Sequence, residues 1–274
     1  MHRLPYFDAS SIEYNMHPSL PAFLEEKAAE YNHPKFIKDD PISLPHQFSK
    51  QQDIEIIGFW VAMLAWGRRT SIINSGKKLI ELMDNAPHDF IVNHEEKDRA
   101  KFLDFKHRTF QPMDTLYFLE FLQYYYTNNP SLESAFSQHI SPQDTTIEKA
   151  LIGFNELFFS LPDAPNRTRK HVATPARKST CKRLCMYLRW MVRKDNKGVD
   201  FGLWKNIDAS QLLIPLDVHV DRVARRHQLI ERKQTDWKTV LELTETLRKI
   251  DPADPVKFDF ALFGMGVLEK DDFG

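Results

Sequence analysis

Ile214-Pro215-Leu216-Asp217-Val218-His219-Val220-Asp221-Arg222-Val223-Ala224-Arg225-Arg226 is the stretch whose reading decides the fold. Pro215 and Asp217 mark the entrance to a helix. A short carboxylate there accepts from the free amides of the first turn and answers the positive end of the helix dipole. Behind it, Val220, Val223, Ala224 and His227 recur at helical spacing and describe a core-facing stripe, with Arg222, Arg225 and Arg226 turned outward. These residues fit two roles for Asp217. One is an N-cap ahead of a solvated cationic face. The other is a fixed carboxylate in a site for an anionic substrate.

Composition limits what surrounds that helix. The chain has 274 residues, enough for one large domain or two lobes on a continuous core. Nine Gly against 16 Pro favour helices with proline-marked ends over a Gly-rich phosphate loop or an all-β fold. A formal charge of -1 gives no global attraction to nucleic acid, so a DNA partner requires a local basic face. Cys181 and Cys185, four apart, suit a reduced cytoplasmic protein better than a disulfide framework. The residues after Met1 lack the apolar core of a signal peptide, and the longest apolar run, Ile56 to Trp66, is too short to span a bilayer. No metal-ligand pattern is expected among the scattered histidines.

Along the chain, residues 1–50 read as a Pro-rich extension carrying one helix from Pro21 to Tyr31, with an extended segment from His33 to Pro41. Ile54, Ile57, Gly58, Val61, Ala62, Leu64 and Ala65 then predict a buried central helix. It runs into Trp66-Gly67-Arg68-Arg69-Thr70-Ser71, where Thr70 or Ser71 is expected to cap the next helix. Asp114 is likewise expected to cap the helix carrying Leu116, Leu119 and Leu122. Helices are predicted over 131–140, 146–160 and 229–250, with Pro162 and Pro165 marking a hinge. The domain reading is therefore an extension (1–50), a helical lobe (51–160) and a second helical lobe (161–274).

One charge asymmetry stands out. Between Asn166 and Lys194 lie Arg167, Arg169, Lys170, Arg177, Lys178, Lys182, Arg183, Arg189, Arg193 and Lys194, with no acidic residue among them. Leu184, Tyr187, Leu188, Met191 and Val192 follow the rule for a buried stripe, leaving Lys182, Arg189 and Arg193 on another face fit for phosphate contact. A basic flank answering acidic residues elsewhere explains the same pattern. Ser179-Thr180-Cys181-Lys182 also matches Ser-x-x-Lys, but without the partner motifs of the serine acyl-transferases it is a chance match.

Leu216-Asp217-x-His219-Val220-x-Arg222-Val223-x-x-Arg226 resembles the Val-Asp-Thr-His-(Ile/Val)-x-Arg-Val-x-x-Arg segment of the helix-hairpin-helix DNA glycosylase superfamily, which includes endonuclease III and the 8-oxoguanine glycosylases. In that superfamily the aspartate is catalytic, and Asp217 holds its position. Bifunctional members place a nucleophilic lysine near the start of the preceding helix. Matched on Leu184, Met186 and Leu188, Lys182 takes that place, with Lys178 as second choice. The likeness extends over residues 53–75, whose loop would face a flipped base, and over 174–266, where Val256 to Gly266 matches the closing helix in order and spacing. There are departures. The loop holds Trp66 and Gly67 where the superfamily often has Gln. No Gly stands between Gly153 and Gly198, so the phosphate-binding Leu-Pro-Gly-x-Gly hairpin is missing, and side-chain cations would replace its amides. Asp195 to Ser210 forms a longer spacer than in endonuclease III, similar to archaeal 8-oxoguanine glycosylases. No Cys cluster follows, so no iron–sulfur centre is implied.

The resemblance implies an all-α, two-lobed fold with a cleft, acting on double-stranded DNA with a damaged base and using no cofactor. Lys182 and Asp217 would be catalytic. Arg177, Lys178, Arg183, Arg189 and Arg193 would bind DNA, and Trp66, Gly67, Arg68, Phe105 and His107 would form the base pocket. A silent nucleic-acid-binding protein of the same fold, or a cytoplasmic helical adaptor, is the alternative.

Overall fold

The computed structural model describes residues 19–268, which form eleven α-helices joined by loops and short 3-10 turns, with no strand among them. The expected all-α class is observed. Pro5 and Pro18 of the extension lie outside the described residues.

The organising element is α2 (Gln51–Leu64), in which every residue from Ile54 to Leu64 is buried. Its one enclosed charge, Glu55, is matched by convergent donors. Gln51 Nε2, Ser131 Oγ and Trp204 Nε1 donate to Oε1 at 2.8, 2.6 and 2.8 Å, and Tyr126 O–H and Leu132 N–H donate to Oε2 at 2.8 and 2.9 Å. A buried carboxylate left without such donors would cost several kcal/mol. Glu55 therefore ties α2 to α5 (Pro112–Asn128), to the loop before α6 (Ser134–Ser137) and to the segment after α8 (Lys182–Val192). Helix α8 crosses α2 at Gly58, where a Cβ would come within 2.9 Å of Met191 Cε. As expected, Leu184, Tyr187, Leu188, Met191 and Val192 are buried there. Stacked rings of Phe136 and Phe154, 4.0 Å apart, bring in α7 (Glu148–Phe158).

Helices α3 (Arg69–Leu82) and α4 (Pro87–Asn93) flank α2, and α9 (Val218–Arg226), α10 (Trp237–Arg248) and α11 (Phe258–Leu268) close the other side. Helix α1 (Leu20–Tyr31) lies along α11, so closely at Gly264 that a Cβ would meet Tyr31 Cδ2 at 2.2 Å.

Several local expectations are corrected. Pro34–Asp39 forms a 3-10 helix instead of an extended segment, because Pro34 fixes φ and the His33 ring accepts from Lys35 N. Helix α3 starts after Arg68, with Thr70 and Ser71 already inside its first turn. Asp114 is the N3 member of a capping box in which Gln111 is the cap. Helix α10 begins only at Trp237, behind the Asp236 cap, so 229–236 is not helical.

Candidate functional site

Asp217 is the N-cap of α9, with extended backbone and Oδ1 accepting from His219 N at 2.8 Å and Val220 N at 2.9 Å. Its other oxygen is left for the site. Lys182, the first residue of α8, brings Nζ to 3.3 Å from Asp217 Oδ2. Lys182 is aimed by an unusual turn: Lys178 and Cys181 both take left-handed backbone, with φ of 60° and 50°. L-residues adopt that region at a cost. Trp237 N–H donates to Lys178 O at 3.1 Å and fixes the turn from outside.

The pair opens into a cavity of about 580 Å3, within the range of small-molecule sites. Trp66, Met186, Phe263 and Val267 form apolar walls, and Asp40, Arg69, His219 and Asp259 add polar ones. Trp66 precedes Gly67, whose φ of +95° would strain any residue with a Cβ. Behind Trp66, the His107 ring meets it edge-on at 5.0 Å and lies 2.8 Å from Ser75 Oγ through Nδ1. Burial lowers the His107 pKa. On the cavity floor, burial raises the Asp259 pKa to about 6, and the charges of Asp217 and Asp200 reinforce that shift against Arg189.

A second cavity of about 380 Å3 adjoins the first, sharing Ala65, Trp66 and Lys182 as walls. Lys170, His171, Arg183 and Thr109 line the rest. His171 is 2% exposed and stacks on Trp66 at 5.5 Å, with Nε2 3.4 Å from Asp114 Oδ2. Asp114 in turn accepts from Arg167 Nη1 and Thr168 Oγ1, both at 2.7 Å, which fastens the segment after Pro162 and Pro165 to α5.

Of the site residues singled out in the sequence, Lys182, Asp217, Trp66, Gly67 and Arg189 line one cavity. Arg68 is exposed and does not line it, and Phe105 and His107 are buried behind its wall, so these three leave the base-pocket set. Arg177 and Lys178 are exposed. Arg189 and Arg193 are a correction to the phosphate-facing set. They are 4% and 3% exposed and held by Asp200 and Asp259, and by Asp195, Asp200 and Asp254, respectively. The basic face on that helix thus answers acids supplied by later loops and by α11. Arg183 is half-buried and donates to the Met63 and Lys170 carbonyls. Asp259 went unnoticed in the sequence, although a lone charge inside Phe258-Asp259-Phe260-Ala261-Leu262-Phe263 is itself a sign of enclosure. Arg69 and His171 gave no such sign.

Among the described residues, no group of three or more His, Cys, Asp or Glu is arranged to hold a metal ion. No helix there is long and apolar enough to cross a membrane.

Fold and site together define an all-helical protein whose central cavity sets a lysine amine against a helix-capping aspartate. Residues 40–268 match the family described as "protein of unknown function (DUF2400)", and the chain belongs to that family. No curated protein and no solved structure matches the chain.

Proposed function

We propose that the protein is a DNA glycosylase, with two helical lobes in the helix-hairpin-helix manner, that removes a damaged base flipped into the larger cavity. The observation that carries this reading is the 3.3 Å approach of Lys182 Nζ to Asp217 Oδ2 on a cavity wall that also holds Trp66. Asp217 takes a proton from Nζ, and the freed amine attacks C1′ of the deoxyribose. The bond from C1′ to the base nitrogen breaks, and the base leaves with that proton. Opening of the sugar ring then gives a protonated imine on Lys182. A fixed carboxylate beside C1′ also stabilises the positive charge developing on the sugar. Trp66 offers a ring face for the extruded base. Substrate is duplex DNA met in the cytoplasm, and the exposed Arg177 and Lys178 are among the cations available to its phosphates.

Borohydride trapping on duplexes carrying an abasic site, uracil or 8-oxoguanine tests the reading. A stable protein–DNA adduct, lost in Lys182→Gln, is expected. Base release without an adduct would point to water as the nucleophile, activated by Asp217. Duplex binding with neither adduct nor release would leave a silent binder.

A further inference from the structure

Arg183 differs from the other arginines packed into this part of the fold. Arg189 and Arg193 are each held by two or more carboxylates, and Arg167 pairs with Asp114. Arg183 has no carboxylate partner among the described residues. It donates to the carbonyls of Met63 and Lys170 and lies 4.9 Å over the Trp66 ring. Carbonyl dipoles and a ring face orient a guanidinium, but they do not neutralise it. Desolvation pushes its pKa down to about 10, and no carboxylate offsets that shift.

The cavity beside it has the same deficit. Its charged walls are Lys170, Lys182 and Arg183, Thr109 contributes a hydroxyl, and no acidic residue lines it. On the same wall His171 is almost fully buried, and its Nε2 has no hydrogen-bond partner. The Asp114 carboxylate 3.4 Å away is already occupied by Arg167 and Thr168. That nitrogen faces a carboxylate already holding two other donors, and the His171 ring packs beside a cation with no carboxylate of its own.

We infer that the smaller cavity is an anion site for a phosphoryl group, with Arg183 and Lys170 as its cations and the His171 ring on its wall. Because Trp66 and Lys182 wall both cavities, base and phosphate of one nucleotide would lie on either side of Lys182, joined through the sugar that Lys182 meets. This deepens the glycosylase reading and rests on it for the identity of the ligand. Charge-assisted bonds from Arg to phosphate are the strong ones.

The test uses the full chain and inorganic phosphate, with the His171 ring followed by NMR and affinity by calorimetry, against chloride at matched ionic strength. Phosphate should shift the His171 signals and chloride should not. Lys170→Gln, at an exposed position, should weaken phosphate several-fold with unchanged melting. Arg183→Lys should weaken it about tenfold or more, since a point charge replaces the fork. Deoxyribose 5-phosphate and an unphosphorylated dinucleotide then separate a terminal monoester from a backbone diester as the source. Phosphate that shifts nothing, or binds equally to wild type and Lys170→Gln, overturns the inference even if Lys182 forms the borohydride adduct. Phosphate bound as expected, with no adduct or base release on any duplex, keeps the anion site and removes the glycosylase.

Discussion

Lys182 Nζ stands 3.3 Å from Asp217 Oδ2, while Asp217 Oδ1 is taken by two amides of α9. One carboxylate thus serves the helix with one oxygen and the site with the other, and substitution separates the two duties. Asp217→Asn should melt close to the wild type, because Asn caps nearly as well as Asp, whereas Asp217→Ala should lose about 1 kcal/mol. Both should slow base release by about a hundredfold or more if the charge is needed at the sugar. Thermal melts beside single-turnover assays make the comparison, and an Asn variant with wild-type turnover would take Asp217 out of the chemistry.

The nucleophile is assigned by trapping. Lys182→Gln should abolish the adduct while duplex binding persists, and Lys178→Gln should keep the adduct, because Lys178 is exposed and does not line the larger cavity. Mass mapping of the reduced adduct to residue 178 would move the nucleophile.

Salt dependence tells the cations apart. Replacing Arg177 and Lys178 together by Gln should flatten the slope of log affinity against log salt by about two, as counterion release requires. Arg189→Met should act on stability instead, costing about 3–5 kcal/mol, because Asp200 and Asp259 lose their buried partner. A stable Arg189→Met protein with an altered salt slope would reverse the burial argument.

The left-handed turn before α8 gives a stability prediction. Lys178→Gly relieves an unfavourable φ at an exposed side chain and should stabilise by up to about 1 kcal/mol after the entropy cost of Gly. Cys181→Gly should destabilise, because the Cys181 side chain is buried and its packing is lost. Urea midpoints with unchanged slopes decide both.

Asp259 sets a pH dependence. Its carboxyl titrates near 3.8 in the unfolded chain and at about 6 in the folded one. Between these values the folded state keeps a proton that the unfolded state releases. Its contribution to stability is therefore full below pH 3.8 and is lost as pH rises through about 6. Carbon-detected NMR of the carboxyl should show that titration, and Asp259→Asn should remove the matching limb from the stability profile.

Much of this was legible in the sequence because it depended on local spacing. The α9 cap, the buried run of α2 and the stripe of α8 all follow from side-chain period and the chemistry of helix ends. The partner of each charge was not legible. Arg189 and Arg193 looked like a cationic face because Asp200, Asp254 and Asp259 reach them only through the tertiary fold. Glu55 was hidden in the same way, since its donors come from positions 51, 126, 131, 132 and 204. Asp114 was read correctly as part of a helix start but one turn out of place, because the capping box puts the acidic residue at N3. Lys182 and Asp217, 35 positions apart, came together on resemblance and not on spacing.

The packing of α1 along α11 has a consequence for synthesis. The two helices are separated by more than two hundred residues of chain, so α1 emerges from the ribosome long before its partner exists. At roughly 5–20 residues per second it waits on the order of tens of seconds with Leu20, Leu24 and Ala28 uncovered. The wall that α11 gives the larger cavity through Asp259, Phe263 and Val267 is likewise missing until α11 arrives. A nascent chain stalled before Phe258 should therefore present that apolar stripe to chaperones, and the cavity should close only after release.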